Sequence, residues 1–172
     1  RIINVYVSIS KYSPLSGSSY LPLDKYIDNK KCCINIKNED NKCLMYCVLY
    51  HIHKNKITKN ADRVSNYKSY LNDFDWSKIK FPVSLNDICR VEELINYGIN
   101  VYGYEDKSVH PLRITTRKDE RVINLLLIGS LQKGNQINHY VYIKKLDVLV
   151  SSNIRTEEGI HTNYSKYTCV NC

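Results

Sequence analysis

Asn35-Ile36-Lys37-Asn38-Glu39-Asp40-Asn41-Lys42, polar apart from Ile36, runs directly into Cys43-Leu44-Met45-Tyr46-Cys47-Val48-Leu49-Tyr50-His51-Ile52. The second run is apolar and long enough for a buried helix, and it puts Cys43 at the helix start. Working outward, a second helix is expected from Asn60 or Ala61 to Leu71. A third is expected from Ser84 to Tyr97, opened by a capping-box-like Ser84 and Asp87 and stopped by Gly98. Beyond Ile99 the pattern changes to short strands: Asn100 to Tyr104, Leu112 to Thr116, Val122 to Ile128 and His139 to Lys144, with a further short strand from Asp147 to Val150. Helices first and an antiparallel sheet second define the α+β class.

The chain has 172 residues, a length that suits one domain. A chain of this size buries roughly 70% of its unfolded surface, so it does not need disulfide staples. Its 7 cysteines therefore call for another explanation, and the odd count fits poorly with a closed secreted framework. A reducing intracellular compartment, cytoplasm or nucleus, is expected, and a monomer. The longest apolar run, Val122 to Gly129, is too short to span a bilayer, so no membrane partner is expected. The chain opens on Arg1 with no signal series and reads as a piece of something longer. Residues 1–23, rich in Ser, Gly and Pro, read as a linker with at most one strand at Ile2 to Ser8.

The 25 basic against 17 acidic side chains leave a formal charge of +8, which suits phosphate or acidic surfaces. The basic residues are scattered, mostly lysines, and form no tract, so solvated charge is the simpler reading. The 15 tyrosines suit half-buried strands better than base stacking.

A cysteine at a helix N-terminus is a candidate nucleophile, because amide dipoles and a histidine partner lower a thiol pKa from about 8.5 towards roughly 3.5 to 7.5. Core packing is the alternative reading of Cys43. Asn38, five residues earlier, and Asn41, two earlier, are amides able to donate to an oxyanion beside the sulfur. His139 opens the alternating strand His139-Tyr140-Val141-Tyr142-Ile143 and is the candidate base. For the group that orients the imidazole, Asp147 is the choice and Asn153 the runner-up. Cys169 and Cys172 have the spacing of half a zinc finger. Cys47 and Cys89 read as core, Cys32 and Cys33 as adjacent thiols ill suited to one ion, and His51 and His53 as pointing to different sides of a helix. Asp73 and Asp75 read as loop residues beside an inward Trp76.

Asn38-Glu39-Asp40-Asn41-Lys42-Cys43-Leu44 resembles the cysteine box of ubiquitin-specific proteases, and Asn138-His139-Tyr140-Val141-Tyr142-Ile143 is similar to their histidine box. Asn138 and Asp40 stand where that family carries glycines. A longer stretch, Tyr20 to Cys172, resembles a module found beside the DNA polymerase of Maverick/Polinton-type transposons. The matching segments include Arg63-Val64-Ser65, Phe81-Pro82-Val83, Pro111-Leu112-Arg113-Ile114-Thr115 and Asn124-Leu125-Leu126-Leu127-Ile128. The herpesvirus tegument deubiquitinases are a looser likeness.

These resemblances imply a papain-like catalytic domain over residues 24–156 and a tail over 157–172 that begins a truncated zinc finger. The implied activity is a thiol-dependent deubiquitinase with Cys43 as nucleophile, His139 as base and Asn38 as oxyanion donor. No cofactor takes part in catalysis. The partner is ubiquitin or a ubiquitin-like modifier, with acids among Glu39, Asp40, Glu92, Glu93, Glu105 and Asp106 holding the basic residues before its terminal glycines. The alternative is a non-enzymatic nucleic-acid or partner-binding module of the transposon polymerase protein.

Overall fold

The computed structural model describes residues 16–117, 121–132 and 135–151. Its elements are α1 (Lys25–Asn29), β1 (Cys33–Ile34), α2 (Cys43–His53), α3 (Ile88–Ile95), β2 (Gly98–Glu105), β3 (Ser108–Arg113), β4 (Val122–Gln132), β5 (Asn135–Ile143) and α4 (Leu146–Val150). The five strands form one sheet in the order β1-β5-β4-β2-β3. The class is α+β, as expected. The sheet is mixed rather than purely antiparallel, because β2 runs parallel to β4 from the Gly98–Val122 pair to the Gly103–Leu127 pair.

Alternation along the strands builds two cores. Leu125, Leu127, Tyr140 and Tyr142 face α2 and α3, where Ile36, Leu44, Val48, Val83, Ile88 and Val91 complete the larger cluster. Leu126, Ile128, Val141 and Ile143 face the other way, against Leu21, Ile27, Leu146 and Leu149. A sheet covered on both faces needs apolar residues at every position, which is why Leu125 to Ile128 shows no polar alternation. Each of these large side chains contributes about 1.5–3 kcal/mol on full burial.

Three expected elements differ. The segment after Asn60 forms a 3-10 helix, Val64–Tyr70, rather than an α-helix. The Ser84 to Tyr97 helix is a 3-10 turn, Leu85–Asp87, leading into α3, where Ile88, Val91, Glu92 and Ile95 share the buried face. Ser84 Oγ donates to Asp87 Oδ2 at 2.6 Å, so the pair is joined side chain to side chain and caps no amide. Asn96, at φ 56°, ends α3, donating its N–H to the Glu92 carbonyl. Gly98 instead opens β2, where a Cβ would lie 2.8 Å from Thr115 Cγ2. The expected strand over Asp147 to Val150 is the short helix α4, whose apolar Leu146 and Leu149 are three apart and both buried.

The cysteines divide unevenly. Cys47 is fully buried as expected, whereas Cys89 is exposed, because it follows Ile88 on the outward side of α3. Cys32 and Cys33 place their sulfurs 3.8 Å apart. Cys169, Cys172 and Asn153 lie outside the described residues, as does the Ile2 to Ser8 strand. No group of three or more potential metal ligands occurs among the described residues, and none of their helices is long and apolar enough to cross a membrane.

Two imidazoles, His51 half-buried and His139 fully buried, tie this packing to pH. Burial pushes His51 down to about 4, with the Lys54 charge adding to the effect, while its Nδ1 meets the Tyr142 hydroxyl at 3.0 Å. Burial likewise pushes His139 down to about 4, against an opposing pull from the Ser18 and Ser19 carbonyls. A neutral base held below its unfolded pKa of about 6.5 means the unfolded chain binds more protons between pH 6.5 and 4, so stability falls as pH drops through that window. For His139 alone, about 1.5 pH units below 6.5, the loss at pH 5 is roughly 2 kcal/mol. Urea midpoints measured at pH 7 and pH 5 should show this acid loss. His51→Gln, which keeps a polar group for Tyr142, should reduce it visibly, and an unaltered pH slope in that variant would count against the assignment.

Candidate functional site

The site is built at the free edge of β5. β4 pairs along one side of that strand, from the Leu125–Tyr142 pair to the Gln132–Asn135 pair. On the other side β1 pairs only at Cys33–Ile143 and Ile34–Tyr142. Past that point β1 no longer pairs with it; the N-terminus of α2 meets the edge, and Gly17 bridges Asn138. The Tyr140 amide donates to Cys43 Sγ at 3.5 Å, in place of a ladder bond. The sulfur therefore sits in the plane of the sheet, one peptide from His139.

Asp40 holds the start of α2 in place. Its carboxylate accepts from the Lys42 amide at 3.1 Å and from the Tyr46 hydroxyl at 3.0 Å, so it does the work of a cap although Lys42 occupies the cap position. This gives Asp40 a structural task where the ubiquitin-specific protease pattern has glycine.

His139 leaves β5 on the face of Val141 and Ile143 and is fully buried. Its Nε2 lies 2.8 Å from Asn35 Oδ1, an acceptor, which places the proton on Nε2 and the lone pair on Nδ1. Nδ1 is buried and has no hydrogen-bond partner. Tyr20 stands edge-on to the ring, centroids 5.8 Å apart. No hydrogen bond joins the Cys43 thiol to the imidazole in this conformation.

Asn35 thus takes the orienting position for which Asp147 was expected. Asp147 is exposed on the first turn of α4, on an element that turns away after β5, and it makes no bond to His139. Asn35 follows β1 directly. Ile34 and Ile36 pack into the larger core, so alternation turns Asn35 to the opposite face, where His139 lies. The sequence signal was the alternation Ile34-Asn35-Ile36, read at first as part of a polar stretch.

Of the two oxyanion candidates, Asn38 is buried and Asn41 exposed. Asn38 Nδ2 donates to the Ser18 carbonyl at 3.1 Å and to Asp40 Oδ1 at 3.1 Å, and it also meets the Asp40 carbonyl. Its Oδ1 is buried without a partner. The amide is thus rigidly held, with its N–H groups directed at carbonyl oxygens. Asn41 lies outside this arrangement.

The expected low thiol pKa is not found. Burial pushes Cys43 up to about 12, and the helix-start amides and the Tyr140 N–H recover only part of that. A desolvated sulfur with neutral His139 beside its strand is a thiol at neutral pH.

Two cavities adjoin this edge. One of about 740 Å³ is lined by Tyr20, Cys33, Asn35, Lys37 and Asp62 among others, so the two side chains that touch His139, Tyr20 and Asn35, stand on its wall with the Lys37–Asp62 ion pair at 2.9 Å. The other, a groove of about 550 Å³, runs past Glu105, Leu112, Leu127 and Leu131 to Asn138. Of the acids expected near a basic peptide, Glu105 lines that groove and Glu92 is buried against Arg113. Comparison of the chain with family models, with curated proteins and with solved structures found no match.

Proposed function

We propose that the domain is a papain-like thiol hydrolase that cleaves after the C-terminal glycine of ubiquitin or a ubiquitin-like modifier. The observation that carries this reading is that two successive residues of β5 engage the two groups: the Tyr140 amide donates to the Cys43 thiol at 3.5 Å, and the His139 Nε2 to Asn35 Oδ1 bond of 2.8 Å leaves Nδ1 as the base. Burying His139 with Nδ1 unpaired costs stability, and polar groups held at such a cost are a mark of functional sites. The groove that passes Glu105 and ends at Asn138 supports a basic tail followed by glycines.

On this reading, His139 Nδ1 takes the proton from Cys43 Sγ and the thiolate attacks the glycine carbonyl carbon. The negative oxygen that forms accepts from Asn38 Nδ2. His139 returns the proton to the leaving amine as the C–N bond breaks, and a water then hydrolyses the thioester with His139 again as base. The steps need no cofactor.

The test is reaction of the purified chain with ubiquitin carrying a thiol-reactive C-terminal warhead. Wild type should form a covalent adduct heavier by the mass of the probe, and Cys43→Ala should form none. A chain that stays unmodified as wild type and with residues 16–20 displaced from the β5 edge overturns the proposal. The binding-module alternative expects no adduct, and expects DNA affinity that falls steeply with salt and ignores Cys43.

A further inference from the structure

Residues 16–20, part of the segment expected to be a linker, lie across the open edge of β5. Gly17 forms a parallel bridge with Asn138. The Ser18 amide donates to the Asn138 carbonyl at 2.6 Å. Asn38 Nδ2 donates to the Ser18 carbonyl at 3.1 Å, and the Tyr20 amide donates to the Asn38 carbonyl at 3.0 Å. A Cβ on Gly17 would lie 2.2 Å from Tyr140 Cδ2 and 3.0 Å from Cys43 Sγ. Only glycine fits between the tyrosine ring and the thiol.

An extended peptide entering this edge would engage the same three groups: the strand edge at Asn138, the sulfur of Cys43 and the amide of Asn38. The segment holds all three at once. The result is a fully buried sulfur, next to a fully buried imidazole whose Nδ1 has no partner. The residue against the thiol is Gly17, whereas the carbonyl on Asn38 belongs to Ser18, the next residue. The contacts are thus shared between successive residues rather than converging on one.

We propose that Ser16 to Tyr20 is a resident pseudosubstrate, an extended glycine-bearing segment that occupies the β5 edge beside Cys43 and must leave before a substrate tail with glycine at the same point can enter. The inference rests on the hydrolase reading for its consequence, but its structural core can be tested separately. The occupant of that edge is this segment of the chain itself, and displacement exposes Cys43, His139 and the donor of Asn38 together.

The experiment is alkylation of the whole chain by iodoacetamide at pH 8, with rates at individual cysteines followed by peptide mass spectrometry. Cys89, exposed on α3, is the internal standard, and fully buried Cys47 reports on the fold. In wild type Cys43 should react far more slowly than Cys89. Gly17→Ala, which drives a methyl into Tyr140 and the thiol, should raise the Cys43 rate by at least about tenfold while Cys47 stays protected. Ser18→Pro, which deletes the amide bonded to Asn138, is the second variant and should do the same.

An unchanged Cys43 rate in these variants with Cys47 protected overturns the inference, as does a wild-type Cys43 as reactive as Cys89. The ubiquitin warhead is then applied to the same proteins. Adduct formation that accelerates with alkylation supports both readings. Faster alkylation with no adduct in any variant leaves the segment as the occupant of the β5 edge and removes the deubiquitinase.

Discussion

His139→Ala is expected to slow adduct formation with the ubiquitin warhead, and turnover of a ubiquitin C-terminal amide, by roughly 10²–10⁴-fold, the range a positioned general base contributes. With the edge covered, burial raises the Cys43 thiol to about 12 and lowers His139 to about 4, so proton transfer between them follows displacement of residues 16–20 and needs the imidazole as acceptor. Asn35→Ala should produce a smaller loss of the same kind. Removing Oδ1 frees Nε2, so the ring can adopt the other tautomer, with a proton on Nδ1 where the base is needed. Asn35 acts through His139, so its loss should lower kcat with little change in KM and shift the acid limb of the pH–rate profile. Asp147→Ala, on an exposed turn, should leave both parameters near wild type. A rate that responds to Asp147 and ignores Asn35 would show that the orienting group has been misplaced.

Arg113→Ala is expected to destabilise the fold by about 3–5 kcal/mol, the range for breaking a buried pair by removing one partner. Glu92 is buried on the inner face of α3. Its Oε1 accepts from the Ile99 amide at 2.7 Å and from Arg113 Nη1 at 3.0 Å, and its Oε2 accepts from Arg113 Nη2 at 2.7 Å. Arg113 Nη1 also donates to the Ile99 carbonyl at 2.6 Å, so one fork closes the junction of α3, β2 and β3. Burial alone would raise the Glu92 carboxyl pKa; the Arg113 bonds and the Ile99 amide outweigh it and hold the pKa below the usual range. A depressed carboxylate stabilises the fold above its unfolded pKa and loses that contribution as pH falls through the folded value. Denaturant midpoints at pH 7 should therefore drop sharply in Arg113→Ala. The double variant Glu92→Leu with Arg113→Leu should recover much of the loss, because it leaves no buried charge. A loss under about 1 kcal/mol would mark the pair as no more than a surface bridge.

The α+β class, the start of α2 at Cys43 and the approximate position of β5 were legible because each follows from local pattern: a polar-to-apolar boundary, and alternation through Tyr140 and Tyr142. What local pattern does not carry is who meets whom across the sheet. The parallel pairing of β2 with β4 is invisible in either strand alone. Asp147 was chosen because it lies near His139 along the chain, whereas Asn35 is separated from it by 104 residues and reaches it through β1. The thiol pKa failed for a similar reason. A helix start lowers a thiol pKa when water can reach it, and burial of Cys43 depends on Tyr140 and Gly17, both distant in sequence. Cys89 was expected inside because α3 is amphipathic, but only Ile88, Val91, Glu92 and Ile95 define its inner face.

Three long-range contacts that build the candidate site end on the short stretch of β5 from Asn138 to Tyr140. Ser18 reaches it across 120 residues, Asn35 across 104 and Cys43 across 97. Three separate closures of that length would each carry a large entropic penalty, but a docked β1 brings the other two within short tethers, so the increments after the first are small. The hairpin of β4 and β5, by contrast, closes locally. The segments that carry Ser18, Asn35 and Cys43 therefore meet along one seam, and the candidate site exists only once that seam has closed.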